Sequence, residues 1–421
     1  MAMDKIRVLH ISKYYHPFSG GTELVARQCV RTLQESVHQE YEQAVFCFDH
    51  KGMKGPFAGE RSEDSVDLVD GIRVVRCACE AKIASQSISF SYRRRLTAVF
   101  QQFNPDVVIL HYPNPFATHY LMPLLKPKQK LMIFWHLDIV KQRILRKLFI
   151  GQNRCLLDRA DCIIATSPNY IEGSQWLRQY REKCVVIPNC IDEKKLEDHL
   201  MKNSQAVDRV RQRYQEKILC LAVGRHVEYK GFRYLIEAAQ YLDERFTIVM
   251  MGAGPLTEKL KQQAKELENH HDNQRRKSAS VAGSESIERA DSLPDIIFAG
   301  LVSDEELRNY LYACDIFCFP SITKNEAFGI ALAEAMYCGK PAVTFTIEGS
   351  GVNYVSPGGV TGIECPNRDS RAYAAAMRLL ADRPDLREQY GQAARKRVEE
   401  LFLYRQFSRH IQELLQELTT T

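Results

Sequence analysis

The stretch Ile218-Leu-Cys-Leu-Ala-Val-Gly-Arg-His-Val-Glu-Tyr-Lys-Gly-Phe-Arg-Tyr-Leu-Ile-Glu-Ala-Ala-Gln-Tyr-Leu242 contains the patterns of a strand, a loop and a helix in succession. The short apolar run Ile218–Val223 is typical of a buried parallel strand, and apolar residues at helical spacing begin at Phe232. The loop between them carries glycine, arginine and lysine. A strand followed by a crossover helix is the repeating unit of a parallel α/β sheet.

The same unit recurs along the whole chain, which predicts parallel sheets covered by helices on both faces. The strand candidates are Ile6–Ile11, Ala44–Phe48, Val107–Leu110, Leu131–Trp135, Cys162–Ala165, Val185–Pro188, Ile218–Val223, Phe246–Met251, Ile296–Ala299, Ile316–Phe319 and Pro341–Thr344. Helices are predicted between them, among others at Thr22–Gln34, Arg93–Gln102, Phe232–Leu242 and Asp304–Ala313.

The series of strands restarts near residue 216, and 421 residues are too many for one compact core. We predict two doubly wound, Rossmann-like domains, 1–192 and 216–400, facing across a cleft and joined by a polar linker, 193–215. A helix over 401–421 is expected to cross back to the first domain. Residues 268–294 are polar and aperiodic, which predicts a disordered insertion. Ligands of such sheets bind at the carboxyl ends of the strands, so we expect the site in the cleft.

The composition excludes several classes of function. With 45% hydrophobic and 26% charged residues and a net charge of +5, the chain has the profile of a globular protein without a dedicated nucleic-acid partner. We find no secretory signal and no run of about 18 apolar residues, and therefore expect a cytoplasmic location. The 13 cysteines form no paired CxxC motif, so we expect reduced thiols and neither a metal nor a cofactor.

The segment Glu326-Ala-Phe-Gly-Ile-Ala-Leu-Ala-Glu334 places two acids eight positions apart. Eight residues of helix would span roughly 12 Å, which is close to the distance from a sugar to the ribose of the same nucleotide. Each carboxylate accepts hydrogen bonds from hydroxyl groups, so the pair could hold both ends of a nucleotide sugar. Solvated surface acids would have the same spacing. The apolar and small residues between them favour a largely buried helix, in which an acid needs a partner.

Two glycine-containing loops follow predicted strands. Gly20 and Gly21 precede a helix, and adjacent glycines allow a tight turn and a close approach of the backbone to an anion at the helix N-terminus. Gly252 and Gly254 close a later strand in the same manner. Each loop could also be a plain turn, and neither has the GxGxxG spacing of a dinucleotide site.

Two further loops carry polar side chains at the carboxyl ends of predicted strands. Arg225 and Lys230 follow Gly224 and could neutralise a diphosphate, the first as a planar fork and the second as a mobile point charge. His136 and Asp138 end a strand of the first domain and could face the cleft. Solvated cations and a structural histidine are the alternatives for these residues.

Taken together, these residues resemble a retaining glycosyltransferase of the GT-B fold, in family 4 of the glycosyltransferases. The resemblance covers most of the chain outside 268–294. It rests on five elements in order, namely Gly20-Gly21, His136-Leu-Asp138, Gly224-Arg225 with Lys230-Gly231, Gly252-Ala-Gly254-Pro255, and the pair Glu326/Glu334. The stretches Trp135-His-Leu-Asp-Ile-Val-Lys-Gln and Ala165-Thr-Ser-Pro-Asn-Tyr are similar to those of bacterial enzymes of O-antigen and other surface polysaccharide synthesis, several of them mannosyltransferases, although those more often have Ser at the position of Leu137.

The resemblance implies a catalytic role for four residues. Arg225 and Lys230 would bind the diphosphate and offset the charge on the leaving nucleoside diphosphate. Glu326 would contact hydroxyls of the donor sugar, and His136 would touch the transferred sugar near the reacting carbon. Similar enzymes need no metal, and retention of configuration implies attack on the face that the leaving group departs from, with a phosphate oxygen as the base.

The resemblance also implies a binding surface for the nucleotide sugar. Glu334 would hold the ribose, the backbone around Phe328 would meet the phosphates, and the first glycine loop would let its domain close on the diphosphate. The residues expected to line this surface are Gly20, Gly21, Gly224, Arg225, Lys230, Gly252, Gly254, Phe328, Gly329, Ile330 and Glu334.

The substrates follow from the likeness to the polysaccharide enzymes. We expect GDP-mannose as donor, with a UDP-sugar next, and a glycan or polyprenyl-diphosphate-linked saccharide as acceptor. Arg93-Arg94-Arg95 and the amphipathic segment Lys141–Phe149 could rest on anionic lipid at the cytosolic face of the membrane, or be ordinary solvated helices. A nucleotide-sugar epimerase and a non-catalytic scaffold of the same fold are the alternative functions.

Overall fold

The computed structural model describes six segments of the chain, residues 5–18, 20–51, 59–83, 86–139, 143–279 and 292–420. The chain divides into two compact units. The first consists of Met1–Asn189 with Tyr404–Thr421, and the second of Cys190–Leu403.

The first unit is built around a largely parallel sheet and a small hairpin. Its strands are β1 (Ile6–Ile11), β2 (Tyr41–Phe48), β3 (Ser65–Val69), β4 (Ile72–Cys77), β5 (Ala81–Ile83), β6 (Gln86–Ile88), β7 (Val107–Tyr112), β8 (Lys130–Trp135), β9 (Cys162–Ala165) and β10 (Cys184–Val186). Its first helices are α1 (Gly21–Gln34), α2 (Tyr92–Phe103), α3 (Pro115–Leu121), α4 (Arg143–Arg159) and α5 (Pro168–Gly173).

The strand order of the first sheet reverses beside β1. The order is β10-β9-β8-β7-β1-β2-β4-β3, so the chain builds the sheet to one side of β1 and then, from β7 onward, to the other. Strands β1, β7 and β8 pair in parallel, and all of β7 is buried, as expected for a sheet covered on both faces. The loops after β1 and β7 therefore meet at the carboxyl edge of the sheet, where doubly wound proteins bind ligands.

Strands β3 and β4 form an antiparallel hairpin that our strand prediction did not include. Asp70 and Gly71 form its tight turn, and both have positive φ angles, 52° and 78°. Asp-Gly between apolar runs is a strong sequence signal for such a two-residue turn. The hairpin was therefore readable from the sequence, but it interrupts the strand-helix alternation that guided the prediction.

The second unit has a fully parallel sheet in the order β13-β12-β11-β14-β15-β16. Its strands are β11 (Ile218–Val223), β12 (Phe246–Met251), β13 (Asp295–Gly300), β14 (Ile316–Phe319), β15 (Ala342–Phe345) and β16 (Gly362–Cys365). Its helices are α6 (Glu193–Arg213), α7 (Phe232–Ala239), α8 (Thr257–Ala279), α9 (Asp304–Ala313), α10 (Ile330–Tyr337), α11 (Val352–Val355), α12 (Ser370–Asp382) and α13 (Pro384–Leu401). The order is that of a dinucleotide-binding Rossmann sheet, with its reversal between β11 and β14.

Two segments of the second unit differ from their predictions. Instead of a linker, residues 193–213 form α6, whose buried Leu196, Val207 and Val210 pack in the core of this unit. The polar composition of this helix reflects its exposed face. Of the predicted disordered insertion, residues 268–279 form the end of α8, and residues 280–291 lie outside the described residues.

The C-terminal helix α14 (Tyr404–Thr420) belongs to the first unit. It lies against α1, where the Tyr404 hydroxyl donates to Glu35 Oε2 at 2.9 Å and Gln412 donates to the Thr32 carbonyl at 3.1 Å. The side chain of Phe407 is buried 6.2 Å from Phe134 of β8. The return of the C-terminal helix to the first unit agrees with the prediction.

Within the described residues, no helix is both long and apolar enough to cross a membrane.

Candidate functional site

The loops that follow β11 and β14 touch each other at the reversal of the second sheet. Gly231 ends the first loop with φ +65°, and a Cβ on it would lie 2.0 Å from the carbonyl oxygen of Pro320 in the second. The amide of Ile322 donates to the carbonyl of Tyr229 at 2.9 Å. Side chains from the two loops are therefore brought together although they are far apart in sequence.

The central contact of this site is an ion pair between Lys230 Nζ and Glu326 Oε2. Both side chains are largely buried, with 14% and 12% of their surface exposed. Ser321 donates to the same oxygen of Glu326 at 3.2 Å, and the Lys230 ammonium lies 4.8 Å from the centre of the Phe319 ring. Ser350 donates to the main-chain carbonyl of Glu326. The carboxylate and the ammonium are thus held in fixed positions before any ligand binds.

Arg225 lies in the first of these loops with an exposed side chain. Burial raises the pKa of the nearby Tyr229 phenol, and the charge of Glu326 raises it further. The charges of Lys230 and Arg225 lower this pKa. All three charges therefore act on the same ring. In the described part of the chain, no hydrogen bond or ion pair holds the Arg225 guanidinium, so it is available to an anion.

The glycines of this site allow close contact between neighbouring loops. A Cβ on Gly252 would lie 2.0 Å from the Gly224 carbonyl oxygen, and one on Gly254 would lie 2.5 Å from that of His226. The Lys230 side chain passes within 3.4 Å of the Cβ position of Gly224. We expected Gly252 and Gly254 to admit a nucleotide. The sides of these glycines that lack a Cβ face the loop that carries Arg225, and a role of Gly252 and Gly254 in nucleotide binding stays a prediction.

The two acids of the Glu326–Glu334 motif differ in their surroundings. Helix α10 begins only at Ile330, so Glu326 lies in the preceding loop and the expected eight residues of helix between the acids are not present. Glu334 lies partly buried within α10. Burial raises the pKa of its carboxyl to about 7, while Arg308 acts in the opposite direction.

Phe328 and Gly329 form the approach to α10. Gly329 has φ +92°, and a Cβ on it would lie 3.0 Å from the Phe319 ring. The Phe328 side chain is buried, with its ring 5.3 Å from that of Phe402. Phe328 therefore offers a ligand only its backbone. The Ile330 side chain is partly exposed at the helix start.

His136 follows β8 in the first unit and is buried there. Its Nε2 lies 3.0 Å from His111 Nδ1, and the two rings stack with centroids 5.3 Å apart. Burial lowers the pKa of His136 to about 3. Burial also lowers the pKa of His111 well below its ordinary value, and the charge of a protonated His136 would lower it further. Both rings are therefore neutral near pH 7. Because Nε2 is engaged by His111, Nδ1 is the nitrogen of His136 that a ligand would meet.

Asp138, which we expected to face the cleft with His136, is part of a buried network. Its Oδ1 accepts hydrogen bonds from Trp135 Nε1 at 3.0 Å and from Ser174 Oγ at 2.8 Å. Its amide donates to the Tyr170 hydroxyl at 2.7 Å. Asp138 therefore fixes the loop that carries His136.

Gly20 is the residue before α1, and a Cβ on it would lie 2.4 Å from Glu23 Oε2. Gly21 has no atom near its Cβ position. The Gly20 contact is with the end of a side chain, so a Cβ there requires only that the Glu23 carboxylate shift.

His111 and Ser321 complete the two clusters and were not identified from the sequence. The signal for each was its place next to the carboxyl end of a strand, β7 for His111 and β14 for Ser321. Single polar residues at such positions have no characteristic spacing, so that signal alone was too weak. Among the described residues, no group of three or more histidine, cysteine or acidic side chains is arranged to hold a metal ion.

Comparison with protein families gives two matches that together span both units. Residues 217–383 match the family described as "Glycosyl transferases group 1", and residues 19–195 match "Glycosyltransferase Family 4". The first match contains the Lys230 and Glu326 cluster, and the second contains His136.

Two relatives match over most of their length. The O-antigen chain mannosyltransferase C of Escherichia coli is 30% identical over 398 residues, which is 94% of each chain. The D-rhamnosyltransferase WbpZ of Pseudomonas aeruginosa is 33% identical over 336 residues, covering 78% of this chain and 77% of WbpZ.

Solved structures with the same fold include a sucrose-phosphate synthase from Thermosynechococcus elongatus, with a TM-score of 0.73 at 18% identity over 99% of this chain and 100% of that one. Anabaena HepE in complex with UDP and glucose gives a TM-score of 0.69 at 17% identity over 98% and 99%. These matches extend over both units and agree with the predicted GT-B fold.

The buried ion pair predicts a measurable coupling between its partners. In a double-mutant cycle of Lys230→Met and Glu326→Gln, we expect a coupling energy of about 1–3 kcal/mol in urea unfolding, because each single substitution leaves one charge without its partner. The control cycle is Arg233→Met with Glu237→Gln, an ion pair whose side chains are 51% and 33% exposed. Its coupling should be about 0.3–0.5 kcal/mol. Equal couplings in the two cycles would contradict the assignment of Lys230 and Glu326 as a desolvated pair.

Proposed function

Because this chain belongs to the group 1, family 4 glycosyltransferases, we propose that it moves a sugar from a nucleoside-diphosphate sugar to a glycan or polyprenyl-diphosphate-linked saccharide in surface polysaccharide synthesis. GDP-mannose is the favoured donor and a UDP-sugar the next. GDP-mannose is supported by the names of the two long relatives, a mannosyltransferase and a rhamnosyltransferase. A UDP-sugar is supported by the UDP and glucose bound to HepE.

The observation that carries this proposal is the Lys230–Glu326 pair beside Arg225 at the strand-order reversal. Cleavage of the bond from the sugar C1 to phosphate leaves negative charge on the departing diphosphate and positive charge on the sugar ring. Lys230, which Glu326 holds in place, and the neighbouring Arg225 are two cations that would stabilise this charge separation next to the diphosphate. We therefore assign Arg225 and Lys230 to the diphosphate.

Glu326 and His136 are proposed to act on the sugar. The Glu326 oxygen Oε2 is occupied by Lys230 and Ser321, so Oε1 is the atom assigned to a sugar hydroxyl. For His136, a neutral ring with Nδ1 available suits a hydrogen bond to the transferred sugar. Retention would then follow from attack on the face of the leaving group, with a phosphate oxygen as base.

The nucleotide is assigned to the remaining motif residues. The backbone amides at Gly329 and Ile330, at the start of α10, suit a phosphate. Glu334 is assigned to the ribose hydroxyls. Gly224, together with Gly20 and Gly21 of the first unit, is assigned to the phosphate environment.

A peripheral membrane contact through the start of α2 is a further part of the proposal. Phe90 is 84% exposed directly before this helix, and the Arg94 side chain is 79% exposed near its start. An aromatic ring beside arginines suits the interface of an anionic bilayer. Of the other predicted contact, Lys141–Phe149, the first two residues lie outside the described residues.

Removal of the proposed catalytic charges should abolish most transfer. We expect Arg225→Ala, Lys230→Ala and Glu326→Gln each to lower the rate of sugar transfer by about a hundred- to a thousandfold, as loss of a group stabilising the transition state does. Product analysis with purified donor and acceptor measures this and would detect free sugar or an epimer instead of a glycoside. Arg233→Ala, a nearby exposed arginine, is the control and should retain activity. Wild-type rates in all three variants would falsify the site assignment.

Donor binding should depend on pH through Glu334. Because its pKa is about 7, the Glu334 carboxyl is protonated in half of the protein molecules near pH 7. Ribose hydroxyls donate hydrogen bonds to the ionised form of the carboxyl. Among its charged neighbours, Arg308 and Lys195 favour that form and Asp304 and Asp192 oppose it. Affinity for the nucleotide sugar should therefore rise by about tenfold from pH 6 to pH 8 and then level off.

The measurement is calorimetric binding of GDP-mannose and UDP-glucose, because nucleotide sugars carry no group that titrates in this range. The affinity of Glu334→Gln for the nucleotide sugar should not change between pH 6 and pH 8. The affinity of the wild type for a donor with 2′-deoxyribose should rise less than its affinity for the ribose donor. The tighter of the two ligands identifies the base. A slope that is equally steep in wild type and Glu334→Gln would show that another group is responsible.

Phe90 should contribute to membrane binding. Wild-type protein is expected to float with vesicles of phosphatidylglycerol and phosphatidylcholine at low salt and to be released at high salt. Phe90→Ser should reduce the floating fraction, whereas Val37→Ser, at an equally exposed apolar residue, should not. If the wild-type protein does not float with the vesicles at low salt, the proposed membrane contact is wrong.

A further inference from the structure

A row of four polar side chains crosses one face of the first sheet. It consists of Gln43 on β2, His10 on β1, His111 on β7 and His136 just after β8, and we call it the histidine row. Each histidine lies two residues beyond the residue that pairs with the preceding member, so the side chains of the row share one face. All four are buried, with 0% to 7% of their surface exposed. The row therefore leads from the interior of the first unit to His136.

The hydrogen bonds of Gln43 fix the position of the proton on His10. The Gln43 amide nitrogen donates to the Val30 carbonyl of α1 at 3.2 Å, so the oxygen Oε1 is the atom that lies 2.9 Å from His10 Nε2. Reversing the amide would set its oxygen against the Val30 carbonyl. Burial lowers the pKa of His10 to about 4, so the ring is neutral near pH 7 and has a single N–H. That proton is on Nε2, and Nδ1 of His10 carries a lone pair.

Two nitrogens in the middle of the row have no hydrogen-bond partner among the described residues, His10 Nδ1 and His111 Nε2. A protonated His10 would lower the pKa of His111, so the two rings are near enough to interact. A lone pair on His10 favours a proton on His111 Nε2, because two buried lone pairs would repel each other. The Ser12 hydroxyl, two residues after His10, also lacks a partner in the described part of the chain. A hydroxyl that donates to His10 can accept from His111, which gives His111 the same proton position.

The proton position on His111 determines that on His136. With its proton on Nε2, His111 can only accept at Nδ1, so His136 Nε2, which is 3.0 Å away, must donate. The rings of His111, Phe134 and His136 stack within 12° of parallel, which holds this bond in one orientation. The remaining nitrogen of His136, Nδ1, then carries a lone pair. His136 therefore presents a ligand with a hydrogen-bond acceptor.

We propose that His111 is a positioning residue that holds the proton of His136 on Nε2, so that His136 Nδ1 accepts a hydrogen bond from a hydroxyl group of the transferred sugar. This inference rests on the proposed function, in which His136 contacts the sugar. It adds the direction of that hydrogen bond and the residues that set it. A free hydroxyl can donate to Nδ1, whereas a methoxy group at the same position cannot. The row therefore selects donor sugars that have a free hydroxyl where His136 contacts them.

The first test is the position of the protons in the wild-type protein, measured by 15N NMR after labelling of the histidines. A ring nitrogen with a proton and one with a lone pair have well-separated 15N shifts, and coupling across an N–H···N bond identifies its two nitrogens. We expect the proton of each of the three rings on Nε2, with a coupling between His136 Nε2 and His111 Nδ1. The signals of each ring are assigned by their loss on substitution. A proton on Nδ1 of His111 or His136 in the wild type would overturn the inference without any variant that must fold.

The second test removes the partner of His136. His111→Phe keeps the stacked ring but leaves the His136 Nε2–H buried without an acceptor, so a form with the proton on Nδ1 should appear in the spectrum. The kcat/KM for the nucleotide sugar should fall by about tenfold, as expected for the loss of one hydrogen bond. In His111→Asn, whose amide oxygen can accept in place of Nδ1, most of both effects should be reversed. His199→Phe is the matched control, because it removes a buried histidine bonded to Asn309 Oδ1 at 2.8 Å in the second unit and should change neither.

The two measurements separate this inference from the proposed transfer reaction. Proton positions on His136 that are unchanged in His111→Phe would overturn the positioning role. An Nδ1–H form in His111→Phe with wild-type kcat/KM would overturn the hydrogen bond to the sugar. Expected proton positions in a protein that transfers no sugar would leave the role of His111 standing and reject the proposed function.

Discussion

The parallel pairing of β11 with β14 is the constraint on which the candidate site of the second unit depends. Strands β12 and β15 extend the sheet on opposite sides of that pair, so the loops after β11 and β14 leave the same edge side by side. Gly231 allows these loops to touch, because any side chain there would collide with the Pro320 carbonyl. Lys230 and Glu326 are then close enough to form a desolvated pair. The order of the strands, rather than any local motif, thus creates the charged centre.

The first unit repeats this arrangement with different chemistry. Its reversal between β1 and β7 brings Lys13 to the edge of the sheet, while the neighbouring strands contribute the neutral pair of His111 and His136.

The sequence was sufficient for the parts of the fold that follow from regular patterns. Apolar runs located the central strands, since a strand covered on both faces must be apolar throughout. The β3–β4 hairpin does not follow from the strand-helix alternation, and the Asp70-Gly71 turn is its only clear signal in the sequence. The sequence of helix α6 is typical of a linker because its buried residues, Leu196, His199, Val207 and Val210, are few among many polar ones. In the site, Lys230 and Glu326 were both identified from the sequence, but their direct contact depends on the order of the strands, which the motifs do not give. The contacts of Ser321 with Glu326 and of His111 with His136 could not be predicted either, because such hydrogen-bond partners depend on side-chain positions that no spacing rule fixes.

The return of α14 to the first unit has a consequence for biosynthesis. The ribosome delivers β1 before the second unit and α14 after it, so the Phe407 ring that packs near β8 is made only after the entire second unit. The second unit is continuous in sequence and can complete its core while still tethered to the ribosome. The unit synthesised first therefore waits longest for its final helix, and until then the surface of α1 that α14 covers remains a site at which nascent chains can aggregate or recruit chaperones.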